Sequence, residues 1–237
     1  MTLGITGALG VLTSGAQTLS GGMVPDPEVL MSAQGPINQN LATALVNIQA
    51  VDKPILLPHE GKIGLASETR SGQGIIIDSS GVIATNKHII GDAQHIYVAL
   101  SGNRTFEASI LRTAQTDICL IKINTPSPLR TISLADSSEA KIGSNVEAVT
   151  KTGLGTEKIH DGQIIKLFKE KSSDNVEILE TNISLKPGDS GGPILNEEGS
   201  LLGLIMGKQI SDPTKSYAIA SNRIQQEYFK YRNSILN

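Results

Sequence analysis

Apolar residues recur along this chain in short runs broken by Gly, Pro, Asn, Asp and Ser, the spacing of an all-β protein with many tight connections. Ala44–Ala50 alternates as a half-buried strand does. Gly74–Ile77, Val82–Thr85, Ile96–Leu100, Phe106–Arg112 and Ile118–Ile123 complete a first set of strands, and Asp78-Ser79-Ser80-Gly81 supplies hairpin-turn chemistry between two of them. Beyond the connector Asn124-Thr125-Pro126-Ser127-Pro128 comes a second set: Asn145–Thr150, Gly162–Phe168, Val176–Thr181, Pro193–Asn196, Leu201–Met206 and Tyr217–Ala220. Two such sets predict an all-β fold of two packed antiparallel six-stranded β-barrels. The end of the chain changes period. Over residues 222–236 Ile224, Tyr228 and Ile235 fall on one helical face, with Arg223, Gln226, Glu227 and Arg232 expected toward solvent, which predicts a C-terminal helix. The predicted division is a first barrel over about 37–128, a second over about 129–221, and the helix over 222–236.

Composition refines this picture at three points. The 237 residues include no Trp, and aromatic residues make up 3%, so the core must be aliphatic. Net charge is −3 with no long basic run, which lacks the electrostatic footprint of a nucleic-acid binder. Cys119 is the single cysteine, excluding an internal disulfide; between Ile118 and Leu120 it reads as a small buried hydrophobe. Residues 1–36 differ from the rest. Leu3–Leu12 resembles a weak signal-peptide core with Gly15-Ala16 as a conceivable cleavage region, but no Lys or Arg precedes Lys53. The segment reads as a leader, an anchor or a linker, and it favours a periplasmic or otherwise extracytoplasmic location while leaving a cytoplasmic one open.

The chemistry is concentrated in Lys186-Pro187-Gly188-Asp189-Ser190-Gly191-Gly192-Pro193, where a serine sits among three glycines in a rigid turn. A serine hydroxyl is a weak nucleophile that needs a base, a group to orient the base, and N–H donors for the oxyanion. Thr85-Asn86-Lys87-His88 offers the base and Thr116-Asp117-Ile118 the carboxylate. Gly188, Asp189 and Ser190 make the turn, and the amides of Gly188 and Ser190 are the candidate donors. Each motif alone is weak; three together, each beside a predicted strand, carry the argument. The remaining histidines read as structural or surface groups. His59 lies in a Pro- and Gly-rich stretch, His95 begins a strand, and His160 precedes Asp161-Gly162 in an expected hairpin turn. None has a partner at metal-ligand spacing, and no metal or cofactor is expected.

These segments occur in the order and spacing of trypsin-like serine proteases. Together with Thr181–Pro187 and Tyr217–Asn222 they most resemble the HtrA (Deg) branch, over about residues 40–235. The resemblance implies a serine endopeptidase acting on unfolded or damaged polypeptides through an acyl-enzyme, with Ser190 as nucleophile, His88 as base and Asp117 as its orienting group. The alternative is a catalytically silent binding or scaffold protein on the same fold. It also implies a primary pocket lined by Leu185, Leu204, Ile205 and Met206. Ser184 stands where a trypsin-type pocket has an aspartate, so cleavage after Val, Ile, Leu or Ala is expected. A homotrimer is a further implication of the family, and a membrane anchor through residues 1–36 is a further possibility.

Four departures from the family pattern stand out. Gln73 replaces a small residue, Met206 lacks a hydroxyl that supports the aspartate in some relatives, a PDZ module is not expected within these residues, being either removed or never used, and no Ile-Val-Gly-Gly start is expected to pair with Asp189. Asp189 is therefore expected to face solvent or find donors in neighbouring loops. Lys87, taken as a strand residue, is expected to point away from His88.

Overall fold

The computed structural model describes residues 39–52, 55–59, 62–66, 68–102, 104–152, 156–169, 177–209 and 211–236. The leader or linker expected over 1–36 lies outside these residues, as do Val176 and the side chain of His59. Residues 37–237 form one compact unit.

A short helix α1 (Gln39–Ala44) leads into β1 (Leu45–Val51). Next come β2 (Ile55–His59), β3 (Lys62–Ala66), β4 (Thr69–Asp78), β5 (Val82–Thr85), the single turn α2 (Lys87–Ile90), β6 (His95–Leu100), β7 (Arg104–Thr113) and β8 (Cys119–Ile123). Strand order β1-β4-β5-β8-β7-β6 closes into a barrel through pairing of β6 with β1. The second barrel uses β9 (Asn145–Lys151), β10 (Glu157–Lys169), β11 (Glu177–Thr181), β12 (Pro193–Leu195), β13 (Leu201–Lys208) and β14 (Ser216–Ala220), in the order β10-β11-β14-β13-β12-β9. Helix α3 (Ser221–Ser234) follows. The expected pair of six-stranded antiparallel barrels and terminal helix is the observed architecture.

The aliphatic pattern does the packing. In β6 the buried positions are Ile96, Val98 and Leu100, with His95 and Tyr97 outside, as period-two alternation requires. One core runs from Ile48, Ile75 and Leu120 of the first barrel to Val149, Leu204 and Ile219 of the second and Ile224 of α3. A second fills the other barrel around Ile164, Leu179 and Ile194. The expected turn after β4 is closed by Gly81 N donating to Asp78 O at 2.9 Å.

Several expectations need correction. The Pro- and Gly-rich stretch holding His59 is a two-stranded ribbon, β2 paired with β3 from Ile55↔Ala66 to His59↔Lys62; Pro is tolerated in such a ribbon because one side of each strand is an unpaired edge. His160 is not in a turn: it lies within β10 opposite Ala148, and its Nε2 is 3.4 Å from Thr150 Oγ1. Ile224 of α3 is buried but Ile235, just past the helix end, is exposed, while Arg223 and Glu227 of the helix are buried. The reason is ionic. Glu227 accepts from Arg112 Nε at 2.6 Å and Lys230 Nζ at 2.9 Å, with Arg223 Nη2 at 3.0 Å. Burial pushes its carboxyl up, but the donors Lys230 and Arg112 outweigh this and hold it below its ordinary range. A helical-face reading that sends every charge to solvent misses such a cluster.

Candidate active site

Strand β5 ends at buried Thr85, buried Asn86 follows, and the chain then turns once through α2. That turn is anchored by buried Ile89 and Ile90 and capped by Arg70, whose Nε and Nη2 donate to the carbonyls of Ile89 (3.1 Å) and Ile90 (2.9 Å) while Nη1 holds Asp52 at 2.7 Å. Lys87 is consequently a helical residue, not a strand residue pointing opposite His88; it is exposed all the same. Asp117 lies just before β8 and meets this corner with both its backbone and its side chain. Its carbonyl accepts from Asn86 Nδ2 (3.1 Å), its Oδ1 from the His88 amide (2.9 Å), and its Oδ2 is 2.7 Å from His88 Nδ1. An ionised carboxylate only accepts, so Nδ1 carries a proton and, in the neutral imidazole, Nε2 is left as the acceptor. Cys119, two residues on, is buried; burial pushes its thiol up, against the hydrogen bond with Thr113.

Ser190 comes from the second barrel on a turn held by main-chain bonds. Asp189 N donates to Lys186 O at 3.1 Å across Pro187 and Gly188; Gly188 has φ 98°, so Pro then Gly occupy the two central positions of a type II turn. A second turn follows at once, Gly192 N to Asp189 O at 3.1 Å, with Gly191 at φ 84°. Gly191 could not be another residue: a Cβ there would lie 1.9 Å from Gln73 O. The Asp189 carboxylate accepts from the Lys186 amide at 2.7 Å, a donor inside its own turn.

The Ser190 hydroxyl donates to the Met206 carbonyl at 3.0 Å, not to His88. Met206 thus enters the site through its backbone, a role that its side-chain chemistry could not have revealed. Its side chain lines an apolar cleft of about 310 Å³ with Phe168, Ile178 and Tyr217. Leu185, Leu204 and Ile205, the other expected pocket residues, are buried in the cores. A second cleft of about 420 Å³ opens between the barrels, with Ser71 and Gly72 on one side and Thr150, Lys186 and Gly188 on the other. His95 is a surface group bonded to Glu107 at 2.8 Å. Among the described residues no group of three His, Cys, Asp or Glu is placed to hold a metal ion, and no helix is long and apolar enough to cross a membrane.

Sequence reasoning missed two residues that bind the halves of this site together, Gln73 and Lys151. The carboxamide of Gln73 is fully buried and bonded to the backbone of Lys151, and the Lys151 ammonium reaches the carbonyls of Ala42 (2.9 Å) and Leu45 (3.0 Å). The available signal was a large polar side chain between two glycines in an apolar strand.

Two barrels, with a histidine–aspartate corner on one and a serine in a glycine turn on the other, define the trypsin-like class. The family of trypsin-like peptidase domains matches residues 72–204, and the chain belongs to it. Its similarities lie in the HtrA (Deg) branch. It is 30% identical over 194 residues to putative protease Do-like 14 of Arabidopsis thaliana, covering 75% of this chain and 45% of that protein. It is 38% identical over 140 residues to the periplasmic pH-dependent serine endoprotease DegQ of Escherichia coli K12, covering 56% and 30%, and 34% identical over 164 residues to the periplasmic serine endoprotease DegP of Salmonella typhimurium, covering 65% and 34%. The chain spans less than half the length of these relatives. The solved structure of the HtrA-type protease AlgW with a decapeptide superposes with a TM-score of 0.68 at 19% identity, over 82% of this chain and 66% of that one, a likeness of fold.

Proposed function

We propose that this chain is the protease domain of a serine endopeptidase that cleaves unfolded or damaged polypeptides outside the cytoplasm. The observation that carries the reading is the His88–Asp117 pair at 2.7 Å, together with the glycine turn that carries Ser190. Ser190 Oγ attacks the scissile carbonyl carbon as His88 Nε2 takes its proton, and Asp117 stabilises the imidazolium. The carbonyl oxygen becomes an oxyanion held by the amides of Gly188 and Ser190. Collapse of this intermediate breaks the C–N bond, the amine leaving with the proton from His88, and water then releases the acyl group by the same steps in reverse. The apolar cleft beside Met206 and the absence of an acidic residue at Ser184 support cleavage after small or medium aliphatic residues. The family resemblance supports a homotrimer, and the periplasmic relatives support the location.

One observation favours the second reading, a silent binding protein: the hydroxyl of Ser190 is turned to Met206 O. Hydrogen bonds between catalytic groups are often loose without substrate and tighten with it. Labelling with a serine-directed fluorophosphonate separates the two. Covalent modification at Ser190 supports the protease; an unlabelled, folded protein supports the scaffold. Digestion of a diverse peptide library then reads specificity, and preference for Lys or Arg would remove the aliphatic pocket.

A further inference from the structure

We infer that Gln73 is the positioning residue of the oxyanion turn, an inference that rests on the protease reading above. Its side chain is fully buried where the barrels meet. Nε2 donates to Lys151 O at 3.1 Å and to Gly188 O at 3.2 Å, while Oε1 accepts from Lys151 N at 3.2 Å. Its main chain is used as fully: the amide donates to Ser190 O at 2.8 Å, and the carbonyl accepts from Thr85 Oγ1 at 2.7 Å. One residue of the first barrel thus grips two carbonyls of the serine turn, on either side of Asp189.

Strand β12 pairs with β9 only at Ile194 and Leu195. Past that end the chain leaves the sheet to form the serine turn, and the Gly191 and Gly192 amides donate to Ile205 O and Asp189 O instead. The carboxamide of Gln73 meets both main-chain groups of Lys151 in the manner of a ladder rung, and its spare N–H reaches Gly188. Lys151 is a firm support, because its ammonium is also fixed on Ala42 O and Leu45 O.

The consequence follows from peptide geometry. In a trans peptide the N–H and C=O point in opposite directions. Fixing Gly188 O on Gln73 directs the Asp189 amide away, onto Lys186 O, and fixing Asp189 O on the Gly192 amide directs the Ser190 N–H the other way. Nothing lies within 4 Å of where a Gly188 Cβ would be. The residue therefore has no packing on that side, and hydrogen bonds hold it: the turn bond from Asp189 N to Lys186 O and the bond from Gln73 Nε2 to Gly188 O, which fixes the Gly188–Asp189 peptide next to the candidate donor. Displacements of about 1 Å in groups of this kind cost on the order of 10²-fold in rate.

The test uses Gln73→Met, which keeps the volume and removes every side-chain bond, and Gln73→Glu, which keeps the shape. With activity normalised to the folded fraction, Gln73→Met should lower kcat by about 10- to 100-fold and leave KM within about threefold, since the oxyanion contact is made in the transition state. Backbone amide resonances of Gly188 and Ser190 should shift while those of Ile89 and Ile90 stay. A lower melting temperature with unchanged kcat and unchanged Gly188 and Ser190 resonances would reduce Gln73 to a structural residue and overturn the inference. Should Gln73→Met fail to fold, Gln73→Glu decides. Protonation restores an O–H donor for Gly188 O, so its activity relative to the parent should rise as pH is lowered, and a flat ratio overturns the inference. If the parent protein neither hydrolyses peptides nor takes fluorophosphonate, the protease reading has failed, and the amide resonances alone judge what Gln73 holds.

Discussion

His88 sits on a segment in which neighbouring polar groups are held by side chains, whereas Ser190 sits on a turn closed mainly by its own backbone, with Gln73 and Asp189 as its side-chain holds. On the histidine side Arg70 caps α2, Asn86 and the His88 amide hold Asp117, and the Nδ1–Oδ2 distance is 2.7 Å without any substrate. On the serine side two consecutive glycine-bearing turns set the path, and the hydroxyl rests on Met206 O. The histidine–aspartate pair is already bonded, whereas the serine hydroxyl is engaged elsewhere. In the proposed mechanism the hydroxyl leaves Met206 O for the imidazole when substrate binds, since catalytic hydrogen bonds tighten in the substrate complex.

The comparison breaks most severely if the hydroxyl does no chemistry. Ser190→Ala should lower kcat by roughly 10⁴-fold or more, and His88→Ala by about as much, because the two act as one unit. A variant of either kind retaining half its activity, measured on a peptide found in the library digest, would remove the assignment. Asp117→Asn tests whether the first half is truly preassembled. Its two oxygens accept from two different donors, the His88 amide and Nδ1, and an asparagine can accept at only one of them. We expect a loss of roughly 10³- to 10⁴-fold in kcat with the melting temperature little changed, the wrong imidazole tautomer being the cause. A loss below about tenfold would show that the imidazole is oriented by something else.

Two glycines sharpen the other side of the comparison, because both have positive φ but only one is crowded. Gly188→Ala meets open space, so it should cost only the left-handed conformation, about 1–2 kcal/mol. Gly191→Ala puts a methyl into the Gln73 carbonyl as well, and should cost at least about 2 kcal/mol more, in the range of severe backbone and packing defects. Denaturant unfolding of both variants measures the gap. Equal costs would mean that the serine turn yields freely and that its contact with β4 is not what sets its path.

Much of this was legible in the sequence because the signals were local. Period-two alternation in Ile96–Leu100, the turn residues Asp78–Gly81, and Ser190 among glycines each depend on residues a few positions apart. What stayed hidden depended on partners far away in the chain. Gln73 looked like a departure from a small residue until Lys151 and Gly188, 78 and 115 positions on, closed around it. Glu227 looked like a solvent-facing charge until Arg112 reached it across 115 positions. Asp161-Gly162 carried a hairpin signature, but pairing of β10 with both β9 and β11 overrode it. Met206 O could not have been found from side-chain type, since any residue there presents the same carbonyl.

The smallest expected effect concerns Asp189, where the two halves of the site differ in what a carboxylate is for. In the proposed mechanism Asp117 orients a base through two donors, and losing either oxygen is expected to be costly. Asp189 accepts one bond at 2.7 Å from the Lys186 amide, three residues back in its own turn. That amide needs an acceptor, not a charge, and the Oδ1 of an asparagine supplies one. The turn is further closed by Asp189 N to Lys186 O and by Gly192 N to Asp189 O, bonds that any side chain at 189 leaves intact. Asp189→Asn should therefore retain at least about a tenth of the parent kcat/KM, a loss of no more than ~1.4 kcal/mol. Asp189→Ala should do worse, because it leaves the Lys186 amide without its acceptor. If asparagine were as damaging as alanine, the charge itself would be at work, and the serine turn would be held by an ion pair that forms only when substrate or a partner is bound.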